Sequence, residues 1–250
     1  MSPSFAEIAP RYDALRPLSG GDRKRLLRML ERAQPGEDDV IVEVGCGTGR
    51  LTLPLAASTA ARVIGVEPEP RMLEVARVKD TAGRVDWRRG SAYRLPLADE
   101  SVRLVVMVLV VHLLRQRARA FAEARRVLIP RGQLSVWTFT PRHVETYYLN
   151  EYFPSIATID RPRFPPIETL RKELGRAGFA EITAELVEES RPMGIADVVD
   201  RVRGRYISTL SMLPPLEYRL GLQRLEEMLA QDRSVTMIQR SEWAILTARK

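Results

Sequence analysis

The sequence predicts a doubly wound α/β protein: a mostly parallel, seven-stranded sheet with helices on both faces and helical insertions over one edge. Three observations carry the prediction. Short β-branched runs alternate with amphipathic segments four or five times between residues 40 and 139, and parallel neighbours need the crossover connections that such helices supply. The first run, Val40-Ile41-Val42-Glu43-Val44, ends in a cluster of glycines, as a strand buried on both faces does where it meets a turn. Beyond Phe139 the alternation loosens into two irregular stretches, one after the fifth strand and one before the last, which places both over the carboxyl edge of the sheet.

In chain order, an amphipathic segment over 21–32 comes first and a Gln34-Pro35-Gly36 turn closes it. Strands follow at 40–44, 62–66, 85–88, 102–109 and 133–139, with helices over 51–58, 71–79 and 116–128; Pro130 stops the last of these. Residues 141–166 are rich in Tyr and Pro, 167–177 read as helix and 179–188 as strand. Residues 191–232 hold helical patches broken at Pro214-Pro215, and 242–248 form the last strand. The implied organisation is lead-in helices (1–36), a ligand-binding core (37–140), an aromatic insertion (141–166), a core helix and strand (167–190), a helical lid (191–234) and the last core strand (235–250). Ligands of such sheets bind beyond the carboxyl ends of the strands, so functional residues are expected just after Val44, Val66, Arg89 and Val108.

The chain has 250 residues, 45% apolar and 28% charged, with a single cysteine. That excludes collagen-like, disulfide-stapled and disordered classes and allows a large core. The longest apolar stretch, 104–111, falls far short of the roughly 20 residues that span a bilayer, so no transmembrane helix is expected. The opening segment lacks the basic cluster and apolar run of a secretory signal, and a lone Cys46 suits a reducing compartment. The expectation is a cytoplasmic protein with no membrane partner. A net charge of +7 raises the question of a polyanionic partner. The arginines are spread along the chain, and the two concentrations, 23–32 and 115–131, are not interleaved with base-stacking aromatics, so a nucleic acid is not expected.

The strongest chemical signal is Glu43-Val44-Gly45-Cys46-Gly47-Thr48-Gly49, at a strand end and opening a helix. Glycines there permit positive φ and let a ligand press on the backbone. The dinucleotide form of this turn is GxGxxG. Here the spacing is GxGxG with Arg50 in the place of the last glycine, which favours a ligand without a pyrophosphate and disfavours a nicotinamide dehydrogenase. About twenty residues on, Glu67 ends the next strand, where an acid accepts hydrogen bonds from both ribose hydroxyls, and Pro68 and Pro70 stiffen its turn.

The segments VIVEVGCGTGR, GVEPEPRML, GSAYRLPLADESVRLVV and EARRVLIPRGQL, in this order and at this spacing, resemble the class I S-adenosylmethionine-dependent methyltransferases of the small-molecule branch. IAPRYDALRP resembles the lead-in helix of that branch, and LRKELGRAGF its sixth helix and strand. The resemblance implies that residues 37–140 form a Rossmann-like, cofactor-binding core and that S-adenosyl-L-methionine is the cofactor. It implies methyl transfer to a small organic acceptor by in-line displacement, with alignment and water exclusion as the catalytic means. An RNA or protein methyltransferase, or a non-catalytic S-adenosylmethionine-binding protein, are the alternatives.

Carried over residue by residue, the resemblance implies that Gly45, Cys46 and Gly47 line the methionine part of the cofactor while Glu43 steadies its ammonium. Glu67, with Pro68 beside it, would hold the ribose and Met72 would pack on the adenine. Ser91, Ala92 and Tyr93 stand beside the adenine amino group, with Ser91 in place of the family's usual acid. Val108 matches a position facing the methionine arm, and Tyr12 and Arg16 match lead-in residues that reach the carboxylate. Arg103 replaces a common aspartate, and Arg131 replaces one glycine of the usual Pro-Gly-Gly turn. Displacement at a sulfonium obliges neither a nucleophile nor a metal, so no catalytic residue is assigned and no metal site is expected. For a hydroxyl acceptor, His143 and His112, the only histidines, are the candidate bases. Tyr147 and Tyr148 are the candidate substrate residues, walling an apolar pocket with Ile207, Leu210 and Met212 opposite.

Overall fold

The computed structural model describes residues 5–250, so the first four residues of the lead-in lie outside the described residues. A 3-10 turn at Ala9–Arg11 runs into α1 (Tyr12–Leu15), and α2 (Gly20–Ala33) follows. The core then runs β1 (Val40–Val44), α3 (Thr52–Ala56), β2 (Arg62–Glu67), α4 (Pro70–Lys79), β3 (Val85–Arg89), β4 (Val102–Val108), α5 (Arg117–Val127) and β5 (Leu128–Phe139). Next come α6 (Pro141–Glu145), α7 (Ser155–Asp160), α8 (Ile167–Arg176), β6 (Ala180–Gly194), α9 (Ile195–Arg203), α10 (Pro215–Gln231) and β7 (Thr236–Arg249). No helix among the described residues is long and apolar enough to cross a membrane.

The seven strands form one sheet in the order β3-β2-β1-β4-β5-β7-β6. All neighbours are parallel except that β7 runs antiparallel to both β5 and β6. Strand order reverses between β1 and β4, which opens a crevice at their carboxyl ends. Side chains of β1 alternate between two cores, as period-two geometry requires. Val42 and Val44 pack with Phe121 of α5 and Leu170 of α8 on one face; Ile41 packs with Leu26 and Met29 of α2 and Leu55 of α3 on the other. Helix α2 begins with a capping box between Ser19 and Asp22 and ends at Gln34, whose φ of 46° turns the chain out of the helix.

Three boundaries differ from the sequence expectation. β5 begins at Leu128, because Leu128 pairs with Val102 before the register shifts, and Pro130 and Arg131 sit in that irregularity. Arg131 has φ of 61° there, which explains why a glycine suits the position. β6 and β7 both run past the sheet, pairing as far as Gly194 with Thr236. The helical segment between these two strands, expected as a lid, therefore starts at Ile195 rather than Arg191. This ribbon is polar and carries Pro192, which an edge strand tolerates. At its tip α9 and α10 join residues 147–156 in a third apolar cluster centred on Phe153, Val198, Val202 and Leu225, separate from the two sheet cores.

Candidate functional site

A cavity of about 1230 Å³ lies over the carboxyl ends of β1, β2 and β4 and extends under the lid. Its first half is made by loops that follow the strands. At the end of β1, Gly45, Gly47 and Gly49 have φ of 74°, 55° and 72°. A Cβ at Gly45 would lie 2.5 Å from a Val110 methyl, whereas one at Gly47 would meet nothing within 4 Å. The loop thus leaves open space directly over the Gly47 backbone.

Glu67 faces the same space. Its carboxylate accepts from the Gly47 and Glu69 N–H groups, each at 3.0 Å, and so is held in one orientation with lone pairs to spare. Burial raises its pKa, with those two backbone donors working the other way. Glu43 is more deeply placed and accepts from the Thr52 hydroxyl at 2.6 Å. Burial pushes its carboxyl up to about 7, and the Glu67 charge adds to this against the Thr52 bond and the nearby Arg50. Cys46 is a buried thiol whose pKa burial drives upward, so it stays neutral. Tyr12, Arg16, Pro68, Met72, Ser91, Ala92, Tyr93 and Val108 complete this half. Tyr93 turns its hydroxyl away, accepting from the Arg115 N–H at 3.0 Å. Arg16 donates to the Tyr12 hydroxyl at 3.0 Å; burial opposes its charge, but the hydroxyls of Tyr12, Tyr206 and Tyr147 outweigh that and its pKa is raised.

Two carboxylates, one of them clamped by backbone donors, beside an open glycine backbone in a largely apolar hollow form a donor set suited to a ligand with a cation and a vicinal diol. That chemistry matches S-adenosylmethionine. The lead-in closes over it: Asp13 of α1 pairs with Lys79 of α4 and with the Thr48 hydroxyl of the glycine loop.

The second half lies under the lid and is lined with aromatic rings. His143 stacks on Phe139 and Phe139 on Trp243, each pair at 3.8 Å between centroids, and His112 stacks on Phe164 at 4.5 Å. The Arg25 guanidinium lies 4.4 Å from Trp137 and 4.9 Å from Trp243, held by Asp22 and by Glu189 of β6. Arg163 binds Asp160 at 2.6 Å and the Thr209 and Ser208 hydroxyls, which ties α7 to the lid. The Nδ1 atoms of His112 and His143 are buried without a hydrogen-bond partner among the described residues.

Of the cofactor, base and acceptor residues singled out from sequence, all but Tyr148 and Leu210 line this cavity. Tyr148 sits behind the wall, its hydroxyl 2.9 Å from that of Tyr206, because consecutive residues 147 and 148 turn to different sides at the start of a 3-10 turn. Leu210 likewise belongs to the apolar core of the lid, while Ile207 and Met212 reach the cavity. Burial keeps both histidines neutral. It lowers His112, with Arg163 and Arg16 adding to the effect, and takes His143 down to about 3. Neither has the near-neutral basicity that efficient proton abstraction needs. Sequence reading missed Arg25, Arg163, Glu189, Tyr206 and Trp243; none belongs to a local motif, and only their side chains meet.

Comparison with known proteins agrees with this geometry. The model of a methyltransferase domain matches residues 42–136. An uncharacterized methyltransferase-like protein of Schizosaccharomyces pombe is 42% identical over 102 residues, which is 40% of this chain and 39% of that protein. The chain thus spans about two fifths of that relative. The ubiquinone/menaquinone biosynthesis C-methyltransferase UbiE of Rubrivivax gelatinosus is 33% identical over 200 residues, covering 74% of this chain and 78% of its own length. A SAM-dependent methyltransferase from Aquifex aeolicus shares the fold, with a TM-score of 0.60 at 13% identity over 96% of this chain and 97% of the other. Given the extent of the similarity to UbiE and the match to the domain model, the chain belongs to the class I S-adenosylmethionine-dependent methyltransferases, with S-adenosylmethionine as its cofactor.

Proposed function

We propose that this methyltransferase acts on a small, flat, largely apolar acceptor held under the lid, beside a cofactor bound over the glycine loop. The observation that carries this reading is the continuity of the two halves. The cavity of about 1230 Å³ exceeds the roughly 300 to 1,000 Å³ of a site for one drug-sized ligand, so it has room for two.

When bound, S-adenosylmethionine supplies an electrophilic methyl group on a sulfonium. The chain's residues orient and enclose. Glu67 takes the ribose hydroxyls on a carboxylate already fixed by two N–H donors, with Pro68 stiffening its turn. Glu43 meets the ammonium, and Gly45, Cys46, Gly47 and Val108 line the methionine arm. Met72 covers the adenine, with Ser91, Ala92 and Tyr93 at its amino edge; Tyr12 and Arg16 close on the carboxylate from the lead-in. The rings of Phe139, Phe164 and Trp243 give the acceptor flat apolar walls. Tyr147 lines the acceptor half beside His143, and the lid above it excludes water.

The name of the Rubrivivax relative puts quinone-type rings first among acceptors to try. A nucleic acid is a poorer fit. In the two basic concentrations, Arg25, Arg28, Arg32, Arg117 and Arg126 are all engaged by carboxylates of this chain. The test is a screen of hydroquinones, naphthols, indoles and short RNA for release of S-adenosylhomocysteine. Turnover is expected with a ring compound, and turnover with RNA alone would reject the small acceptor.

A further inference from the structure

Three phenols form a chain at the back of the acceptor half. The Tyr148 and Tyr206 hydroxyls are 2.9 Å apart, and Tyr206 also meets the hydroxyl of Tyr147. Tyr147 and Tyr206 lie on the cavity wall and Tyr148 behind it. Three hydroxyls carry three hydrogens, and the two contacts consume two of them. The surroundings decide where the third goes. Among the described residues Tyr206 is the one group placed within hydrogen-bond distance of the Tyr148 hydroxyl, and the cation acting on Tyr148 is Arg201, which draws its oxygen and repels its hydrogen. A hydrogen left over on Tyr148 would be a buried donor with nothing to accept it. Tyr148 therefore donates to Tyr206, and because Tyr147 and Tyr206 both line the cavity, either direction of the contact between them leaves one phenolic hydrogen facing the cavity.

The neighbours of that end favour a negative partner. Arg16 acts on Tyr147 and donates only to Tyr12 among the described residues. Among the described residues the Arg201 side chain donates only to the Met193 thioether, at 3.6 Å, and it lies over the Tyr206 ring. The His143 ring, 5.1 Å from that of Tyr147, is neutral. Of the acids that line this half, Asp160 is bound by Arg163 and Glu189 by Arg25. Burial raises the pKa of Tyr147 and Tyr148 well above that of a free phenol, so both keep their hydrogens at neutral pH.

Resting on the reading of this half as the acceptor's, we propose that the linked pair Tyr147 and Tyr206 donates its one free hydrogen to an ionised oxygen of the acceptor, a phenolate or an enolate. The phenol chain thereby selects acceptors that bind as oxyanions. Tyr148 acts through Tyr206 and is a positioning residue.

4-Nitrophenol tests this, because its phenolate is read by visible absorbance. In protein saturated with S-adenosylhomocysteine, the bound probe should ionise about one pH unit lower than in water, a tenfold shift. It should also bind about tenfold more tightly than 4-nitroaniline, a neutral probe of the same shape. Tyr147→Phe and Tyr206→Phe combined should abolish the shift and either change alone reduce it, with calorimetric affinity for S-adenosylhomocysteine unchanged. If the double variant does not fold, the single variants and the comparison of probes on the unaltered protein decide. An unshifted or raised ionisation, no preference over 4-nitroaniline, or no binding of 4-nitrophenol at millimolar concentration would overturn the proposal. Failure of the unaltered protein to bind S-adenosylhomocysteine would instead strike the methyltransferase reading of the site, and it is measured separately.

Discussion

The two halves of the cavity are built by different means. In the cofactor half the backbone does most of the positioning: three glycines at positive φ shape the loop, and two N–H groups fix Glu67. In the acceptor half side chains do it, through stacked rings, Arg25 between two tryptophans and three linked phenols. The glycine loop and Glu67 of the first half are in place once β1 and β2 pair. The second exists only when residues 141–160 and the lid have assembled on each other, so its shape depends on a cluster separate from the sheet cores. Breaking the lid should therefore separate the two functions of the cavity.

The largest effect is expected from removing the lid. Gly194 pairs with Thr236, and the Ile195 N–H donates to the Val235 carbonyl at 2.9 Å, so residues 195–235 leave the ribbon and return to it at one point. Replacing them with an Asn-Gly turn closes β6 and β7 as a hairpin. S-adenosylhomocysteine should still bind within a few-fold, while methyl transfer to the best acceptor should fall at least about a hundredfold, as alignment and water exclusion are lost. Full turnover without the lid would collapse the distinction between the halves.

Within the cofactor half, two glycines that look alike in the sequence should behave differently. Gly45→Ala forces a methyl to 2.5 Å from Val110 at a φ of 74°, and the strain and overpacking should destabilise the fold by about 2 to 4 kcal/mol in urea unfolding. Gly47→Ala meets open space, so it should cost only about 1 kcal/mol of stability but weaken the cofactor markedly by filling the ground over the loop. Equal stability losses would mean that the open space is not the ligand's. Glu67→Ala should weaken cofactor binding by about 1 to 3 kcal/mol, by leaving hydroxyls without their acceptor, and unchanged calorimetric affinity in a folded variant would demote Glu67 to a loop brace.

The same division explains what was legible in the sequence. Val40–Val44 followed by GCGTG announces its strand and turn because the backbone requirement is local, and Glu67 follows at a fixed spacing. The outer ribbon escaped detection because 188–194 and 236–242 are polar and only their mutual pairing makes them strands. Tyr206 lies 59 residues from Tyr147, and Glu189 lies 164 residues from Arg25. No periodicity links such pairs, since only the tertiary fold brings them together. The aromatic clustering of the segment points to Tyr147 and Tyr148 alike, and only the fold decides that Tyr147 lines the cavity while Tyr148 lies behind its wall.

The smallest expected effect is a pH dependence, and it separates the halves by charge. Burial moves the Glu43 carboxyl from the usual 4.5 to about 7. Between those values the folded chain holds a proton that the unfolded chain has released, so stability without cofactor falls as pH rises through that window. A ligand bringing positive charge to Glu43 favours the ionised form and must displace the proton. Cofactor affinity should thus rise about tenfold between pH 6 and 8, the ratio of ionised fractions for a group with a pKa of about 7, and level off above. Calorimetry in buffers of different ionisation enthalpy should count about half a proton released per cofactor at pH 7. Glu43→Gln should remove both the slope and the release while leaving 4-nitrophenol binding under the lid unaffected. A flat affinity from pH 6 to 8 in the unaltered protein would show that the charge of the cofactor does not reach Glu43.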